Sequence, residues 1–244
     1  MTIDELVELA ESHAARGEHR EARALYVSVL RTPGLDAPTR ARLSIGLAAK
    51  ERLAGDLDVA EERVREVLES LGESPRLVAM ARFELGTCLV TRFSRAPTPS
   101  AAPLLRQGLE ELSRAAELFE AEGRPERLAC LLGMADALGP SDFDTAVALH
   151  QRVFIASKDG ADRWMRFVHY RAARGMASDL LIHGHRDEAR AWLDRALEIL
   201  VGAAPDDDPE RRRHLGDLAE LFESYFGDFD VANAVRRRAE QNLD

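Results

Sequence analysis

Four short stretches of the 244-residue sequence carry side chains that could do chemistry. In IHGHRDE, residues 182–188, His183, His185 and Asp187 are of the types that bind zinc or another transition metal. The two histidines straddle Gly184 instead of sharing a helical face, and no cysteine stands beside them, so the stretch reads as an exposed turn. DDDPE, residues 206–210, could hold magnesium and a diphosphate, but that chemistry needs a second acidic cluster facing an enclosed apolar cavity. The run is alone and leads into a proline-started helix, whose positive end acids favour. Cys88 and Cys130 lie in LGTCLV and LACLLG, where they read as small buried hydrophobes of a reducing compartment; a disulfide or redox pair is the alternative. His13 or His214 could act as a base near a groove, but neither has spacing evidence for a triad, and no GxGxxG, GKS or GKT loop cradles phosphate. No catalytic residue, metal or cofactor is therefore expected, and the chain is not read as an enzyme.

Charge narrows the partners. The excess of 43 acidic over 33 basic side chains, a net charge of -10, opposes general affinity for nucleic acid or an anionic membrane. Lys50 and Lys158 are the only lysines, an arginine bias that fits genome composition better than a function. No apolar run reaches the 18 or so residues of a membrane helix. The opening MTIDELVELAESHAARGEHR carries acids at once, which argues against a secretory signal and for the cytoplasm.

The elements that would position these side chains come from a spacing. In GHRDEARAWLDRALEIL, residues 184–200, Ala189, Leu193 and Ala196 put small, large and small residues on one helical face. The same order returns as Ala22, Tyr26, Val29; Ala60, Val64, Val67; Gly108, Leu112, Ala115; Ala146, His150, Val153; and a degraded Ala232, Arg236, Ala239. Leading positions are separated by 38, 48, 38, 43 and 43 residues, a helical repeat of about forty. Gly17, Gly55, Gly184 and Gly227 each stand five residues ahead of a leading alanine, where a left-handed turn would reverse the chain. Asp56, Asp142 and Asp228 are placed to cap the helix that follows, and Pro38, Pro75, Pro125 and Pro209 to start the helix before it.

The expectation is all-α: one domain, residues 1–244, of about six antiparallel helix pairs in units near 2–33, 38–73, 75–123, 125–158, 161–203 and 207–243. The three prolines of residues 91–103 predict an exposed loop inside the third unit. Trp164, Phe167 and Tyr170, with Met176, form an apolar side expected to pack on the second helix of the fourth unit, or else to offer an exposed aromatic patch to a partner; self-association could run through Trp164 and Phe167 or the apolar edge of the last helix pair.

This spacing, with Leu85–Gly86 and the whole of residues 184–200, resembles the tetratricopeptide repeat family. It is most similar to the longer, roughly forty-residue form of bacterial regulators and signalling adaptors. His150 and Arg236 depart from the large apolar residue, and the signature tryptophan of the first helix is missing from every unit. The resemblance implies a right-handed superhelix whose inner groove is lined by the first helix of each pair. Its positions would carry Arg42, Ile45 and Arg52; Met80, Phe83 and Thr87; Leu128 and Leu131; Arg171 and Arg174; and His214, Asp217 and Tyr225. From these, Arg42, Arg52, Phe83, Leu131, Arg171, Arg174, His214 and Tyr225 are the expected partner-binding residues. Such a groove suits a peptide or partner protein with acidic segments, since arginine grips carboxylates through forked bonds; alternatively, the arginines pair with acids of the array itself. The implied function is a protein-binding adaptor or regulator; a small-molecule sensor or helical enzyme with an apolar pocket over Phe83, Leu131 and Met176 is the competing reading.

Overall fold

A computed structural model describes residues 2–72, 74–160, 162–203 and 208–240. Among them are twelve α-helices, one short 3-10 turn and no strand, so the chain is all-α. The helices are α1 (Ile3–Ala15), α2 (His19–Leu30), α3 (Ala37–Ala54), α4 (Leu57–Ser70), α5 (Pro75–Arg95), α6 (Ala102–Ala121), α7 (Arg127–Leu138), α8 (Phe143–Ser157), α9 (Arg163–Ile182), α10 (Arg186–Ala203), α11 (Pro209–Phe226) and α12 (Phe229–Glu240). The chain divides into two compact units, residues 1–133 and 134–244, with the boundary inside α7.

Within residues 1–133 the repeated spacing lies along the packed seams. Ala22 and Ala60 have no exposed surface, and Tyr26, Val64, Leu112 and Ala115 are likewise buried. Ala60, Val64 and Val67 of α4 share one apolar cluster with Ala41, Ile45 and Ala48 of α3 and with Leu77, Ala81 and Leu85 of α5. Two of the large middle residues, Tyr26 of α2 and Leu112 of α6, are each seated on a glycine of the next first helix. A Cβ on Gly46 would stand 2.7 Å from the Tyr26 ring, and one on Gly133 would stand 3.3 Å from Leu112. Helices α5 and α6 approach still more closely, for a Cβ on Gly86 would meet the Gly108 carbonyl at 2.8 Å. Gly86 belongs to the Leu-Gly pair read from the sequence, and its missing side chain is what permits that approach.

Residues 134–244 repeat the arrangement. Ala146, His150 and Val153 of α8 and Ala189, Leu193 and Ala196 of α10 are fully buried. Leu193, Ala196 and Leu200 join Phe167 and Tyr170 of α9 and Leu215, Leu218 and Phe222 of α11 in one cluster. Phe167 and Tyr170 pack against α10 and α11, and Phe154 of α8, the second helix of the preceding pair, borders the same cluster. Trp164 is 38% exposed. In α12 the weak copy resolves differently: Arg236 turns outward to Glu223 of α11, and Val235 fills the core beside Ala232.

The turn chemistry follows local rules with two departures. Gly17, Gly55, Gly184 and Gly227 all adopt the left-handed conformation, at φ between 64° and 100°. Asp142 and Asp228 accept the backbone N–H groups of Thr145 and Val231. Asp56 makes no such cap; its carboxylate is taken by Arg23 of α2 at 2.5 Å. The loop expected over residues 91–103 is mostly helix: α5 runs on through Arg95, and Pro99–Ala101 form the 3-10 turn that leads into α6. Only residues 96–98 lack helical structure, because proline restricts itself and its predecessor and leaves the preceding turn free. Of DDDPE, residues 206 and 207 lie outside the described residues; Asp208 caps α11 through Glu210 and Arg211 N–H and receives Arg163.

Candidate functional site

The first helices carry the residues expected to bind a partner, and the two units distribute them differently. In residues 1–133, Arg42 is exposed on α3 and makes no ion pair among the described residues. Arg52, at the other end of α3, donates from Nε to Oε1 of the buried Glu84 on α5 at 2.5 Å. Phe83 is half-buried against Ala79, Ala115, Phe119 and Cys130. Leu131 and Leu128 are core residues, as is Ile45. Those two leucines, expected on the surface, therefore serve the core.

In residues 134–244, α9 and α11 bring polar groups together. The Tyr170 hydroxyl is buried without a hydrogen-bond partner among the described residues, and burial pushes its phenol well above the ordinary range. Arg174, Arg171 and Arg213 direct positive charge at it, opposed by the Asp217 carboxylate. His214, buried, lies with its ring 5.1 Å from that of Tyr170 and with Nδ1 3.4 Å from Asp217 Oδ2, a contact that holds the Asp217 carboxyl below its ordinary range. Arg174 is half-buried, and its Nε has no hydrogen-bond partner among the described residues. Arg171 is exposed and reaches Asp136 of α7 at 3.3 Å. Tyr225 is 50% exposed, eleven residues beyond His214 on α11 and so about 16 Å along it.

Beneath Arg171 lies a group of ionisable residues that spacing did not reveal. The His150 imidazole is sealed, with Nε2 3.4 Å from Asp179 Oδ2 and 3.7 Å from Asp136 Oδ1. Burial pushes the imidazole down from its ordinary value, an effect Asp136 opposes and Arg171 adds to. The Asp179 carboxyl is pushed up from 3.8 to about 7, first by burial and then by Asp136. Space for both side chains comes from glycine. A Cβ on Gly175 would stand 2.2 Å from the His150 ring, and one on Gly139 would stand 2.1 Å from the Asp179 carboxylate, both too close to be tolerated. The available signals were a histidine in the large apolar position and a glycine inside α9.

The stretches first considered for chemistry have structural partners. His183 Nε2 meets the Gly139 carbonyl at 3.1 Å, and His183 and His185 both lie against Phe143. No group of three His, Cys, Asp or Glu side chains is placed to hold a metal among the described residues. Cys88 and Cys130 are free and buried, with burial raising each thiol to about 12. Clefts of about 360, 650 and 600 Å³ lie along α4, between α2 and α3, and at the ends of α3, α4 and α5. Phe83, Leu131 and Met176 line none of these three, and Met176 is a core residue. No helix among the described residues is long and apolar enough to cross a membrane.

No family model and no curated protein matches the sequence. Solved structures do match the fold. A thermophilic TPR protein of Thermus thermophilus is 20% identical, with a TM-score of 0.68 over 92% of this chain and 99% of that one. The apo form of RapI is 13% identical, with a TM-score of 0.63 over 98% of this chain and 82% of that one. The fold is that of a tetratricopeptide repeat protein. BtubC from P. vanneervenii, 18% identical, gives a TM-score of 0.59 over 82% of this chain and 80% of its own. These TPR likenesses agree with the helix pairing, the seam residues and the glycine turns found in each unit.

Proposed function

We propose that this TPR-fold chain is a protein-binding adaptor or regulator, acting in the bacterial cytoplasm, that takes an acidic segment of a partner on the face of its first helices and does no covalent chemistry. Internal pairing accounts for part of the arginine set, since Arg52 is committed to Glu84 and Arg171 touches Asp136. The reading is carried by Arg174. Its half-buried guanidinium, without a hydrogen-bond partner at Nε among the described residues, sits beside Arg171 and the unsatisfied Tyr170 hydroxyl. A partner carboxylate would supply acceptors there, and a planar guanidinium holds a carboxylate with two parallel bonds. Arg42 gives the other unit an accessible cation of the same kind, and Tyr225 an amphipathic ring of the type that anchors interfaces. Phe167 is buried and so does not belong to a patch for self-association, which leaves Trp164 as its accessible aromatic.

The test is capture of partners from native lysate by the wild type and by an Arg42→Gln/Arg174→Gln variant, followed by mass spectrometry. Neither Arg42 nor Arg174 makes an ion pair among the described residues, so a folded variant is expected. Loss of a partner held by the wild type, with capture weakening as salt rises, is the expected result. Identical capture by both proteins at every salt concentration would overturn the reading.

A further inference from the structure

One carboxylate is shared between the surface arginine and the buried imidazole. Asp136 on α7 places Oδ2 3.3 Å from Arg171 Nη2 and Oδ1 3.7 Å from His150 Nε2. The Asp136 side chain is half exposed, whereas that of His150 is sealed. The ionisable groups that face the imidazole are Asp136 from α7 and Asp179 with Arg171 from α9. At 3.3 Å the contact with the arginine is a long hydrogen bond, and at 3.7 Å the approach to the imidazole is too long to be one. Asp136 is thus held firmly by neither.

We infer that Asp136 couples partner binding to proton uptake: an acidic side chain that takes Arg171 releases Asp136 toward the buried His150–Asp179 pair, which then binds a proton from solvent. This inference rests on the acidic-segment reading above. While Arg171 faces Asp136, the carboxylate is balanced by a neighbouring cation and the imidazole gains little by becoming charged. A partner carboxylate on Arg171 removes that balance and leaves Asp136 with its charge directed at Nε2. At such a separation in a half-buried setting, where water screens little, opposite charges attract strongly. The proton adds to a ring nitrogen of His150, and the imidazolium draws Asp136 inward. No bond other than the new N–H forms or breaks. By linkage, a proton taken up on binding makes binding tighter as pH falls.

The surroundings of His150 fit this role better than they fit plain packing. Every other intact copy of the seam carries an apolar side chain or tyrosine at the corresponding position. Gly175 opens α9 for the imidazole, although glycine inside a helix is less favourable than alanine. Both ring nitrogens lack a hydrogen-bond partner among the described residues, so the site is not satisfied in its resting state.

Histidine-ring ¹⁵N–¹H correlation spectra tested against pH separate the coupling from the binding. With His150→Leu identifying the resonance, Arg171→Gln should move the His150 titration upward and Asp136→Asn should move it downward. Unchanged titration in both variants would overturn the coupling without reference to any ligand. In a second measurement, an end-blocked hexaglutamate peptide should bind the wild type on the order of tenfold more tightly at pH 6 than at pH 8, and His150→Leu with no such dependence. Equal pH dependence in both proteins would sink the proton linkage. Absence of peptide binding at either pH would remove the acidic-segment reading and the linked binding together, while the titrations still decide whether Asp136 joins Arg171 to His150.

Discussion

The Asp179 carboxylate stands 3.4 Å from the His150 imidazole, and both side chains are buried where α8 meets α9. Each neutral form is favoured by the same burial, so the pair resists ionisation from both directions.

Stability should carry the mark of that resistance. Asp179 titrates near 7 in the fold against 3.8 ordinarily, so the unfolded chain ionises first and stability is lost as pH rises from about 4 to about 7. His150, pushed down, opposes it: stability is lost as pH falls below the ordinary 6.5, where the unfolded chain binds the proton first. Asp179→Asn should therefore gain on the order of 2 kcal/mol over the wild type at pH 8 and little at pH 4. Urea melts of both proteins at the two pH values measure this difference, and a constant offset would contradict it.

Removing Arg52 alone should be worse than removing the ion pair. Glu84 is almost fully buried, and Arg52→Leu leaves its charge without a partner, at a cost of about 3 kcal/mol. The double variant Arg52→Leu/Glu84→Leu should recover most of that loss. A double-mutant cycle by chemical denaturation checks it; additive losses would indicate that the pair is not the source.

Overpacking should separate the two faces of α10. Ala189 and Ala196 have no exposed surface, whereas Ala191 on the same helix is exposed. Leucine at position 189 or 196 should cost roughly 1–3 kcal/mol, and leucine at 191 should lie within about 0.5 kcal/mol of the wild type. Thermal melts of the three variants suffice to compare them.

The two thiols should be silent in the native protein. Burial holds Cys88 and Cys130 near 12, leaving almost no thiolate at pH 8. Labelling by a disulfide reagent should be slow, and should accelerate with denaturant along the unfolding curve. Fast stoichiometric labelling without denaturant would show that the seams open far more readily than their packing allows.

Much of the fold was legible because helical seams repeat one local rule. Ala22, Ala60 and Ala189 needed only their spacing to be placed at buried contacts, and Gly55 and Gly227 needed only their position to be placed at left-handed turns. The failures came where a distant partner prevailed over a local one. Asp56 had the place of a cap and gave its carboxylate to Arg23, which lies 33 residues earlier. Helix α5 continued to Arg95 because the prolines act from residue 96 onward. Arg52 and Leu131 have the right helical phase for a surface, yet an interhelical acid claims one and the core claims the other. His150 was visible as an exception to the repeat, but its partners Asp136 and Asp179 lie 14 and 29 residues away on other helices, at spacings no motif prescribes.

The seating of Tyr26 on Gly46, and of His150 on Gly175, ties residues far apart in the chain into exchangeable couples. A ring is tolerated only opposite a bare backbone, and a methyl group opposite only if the ring is given up. Homologous chains should accordingly lose the aromatic and the glycine at the same step, so that a compensated exchange, and not independent drift at either site, is the course open to these positions.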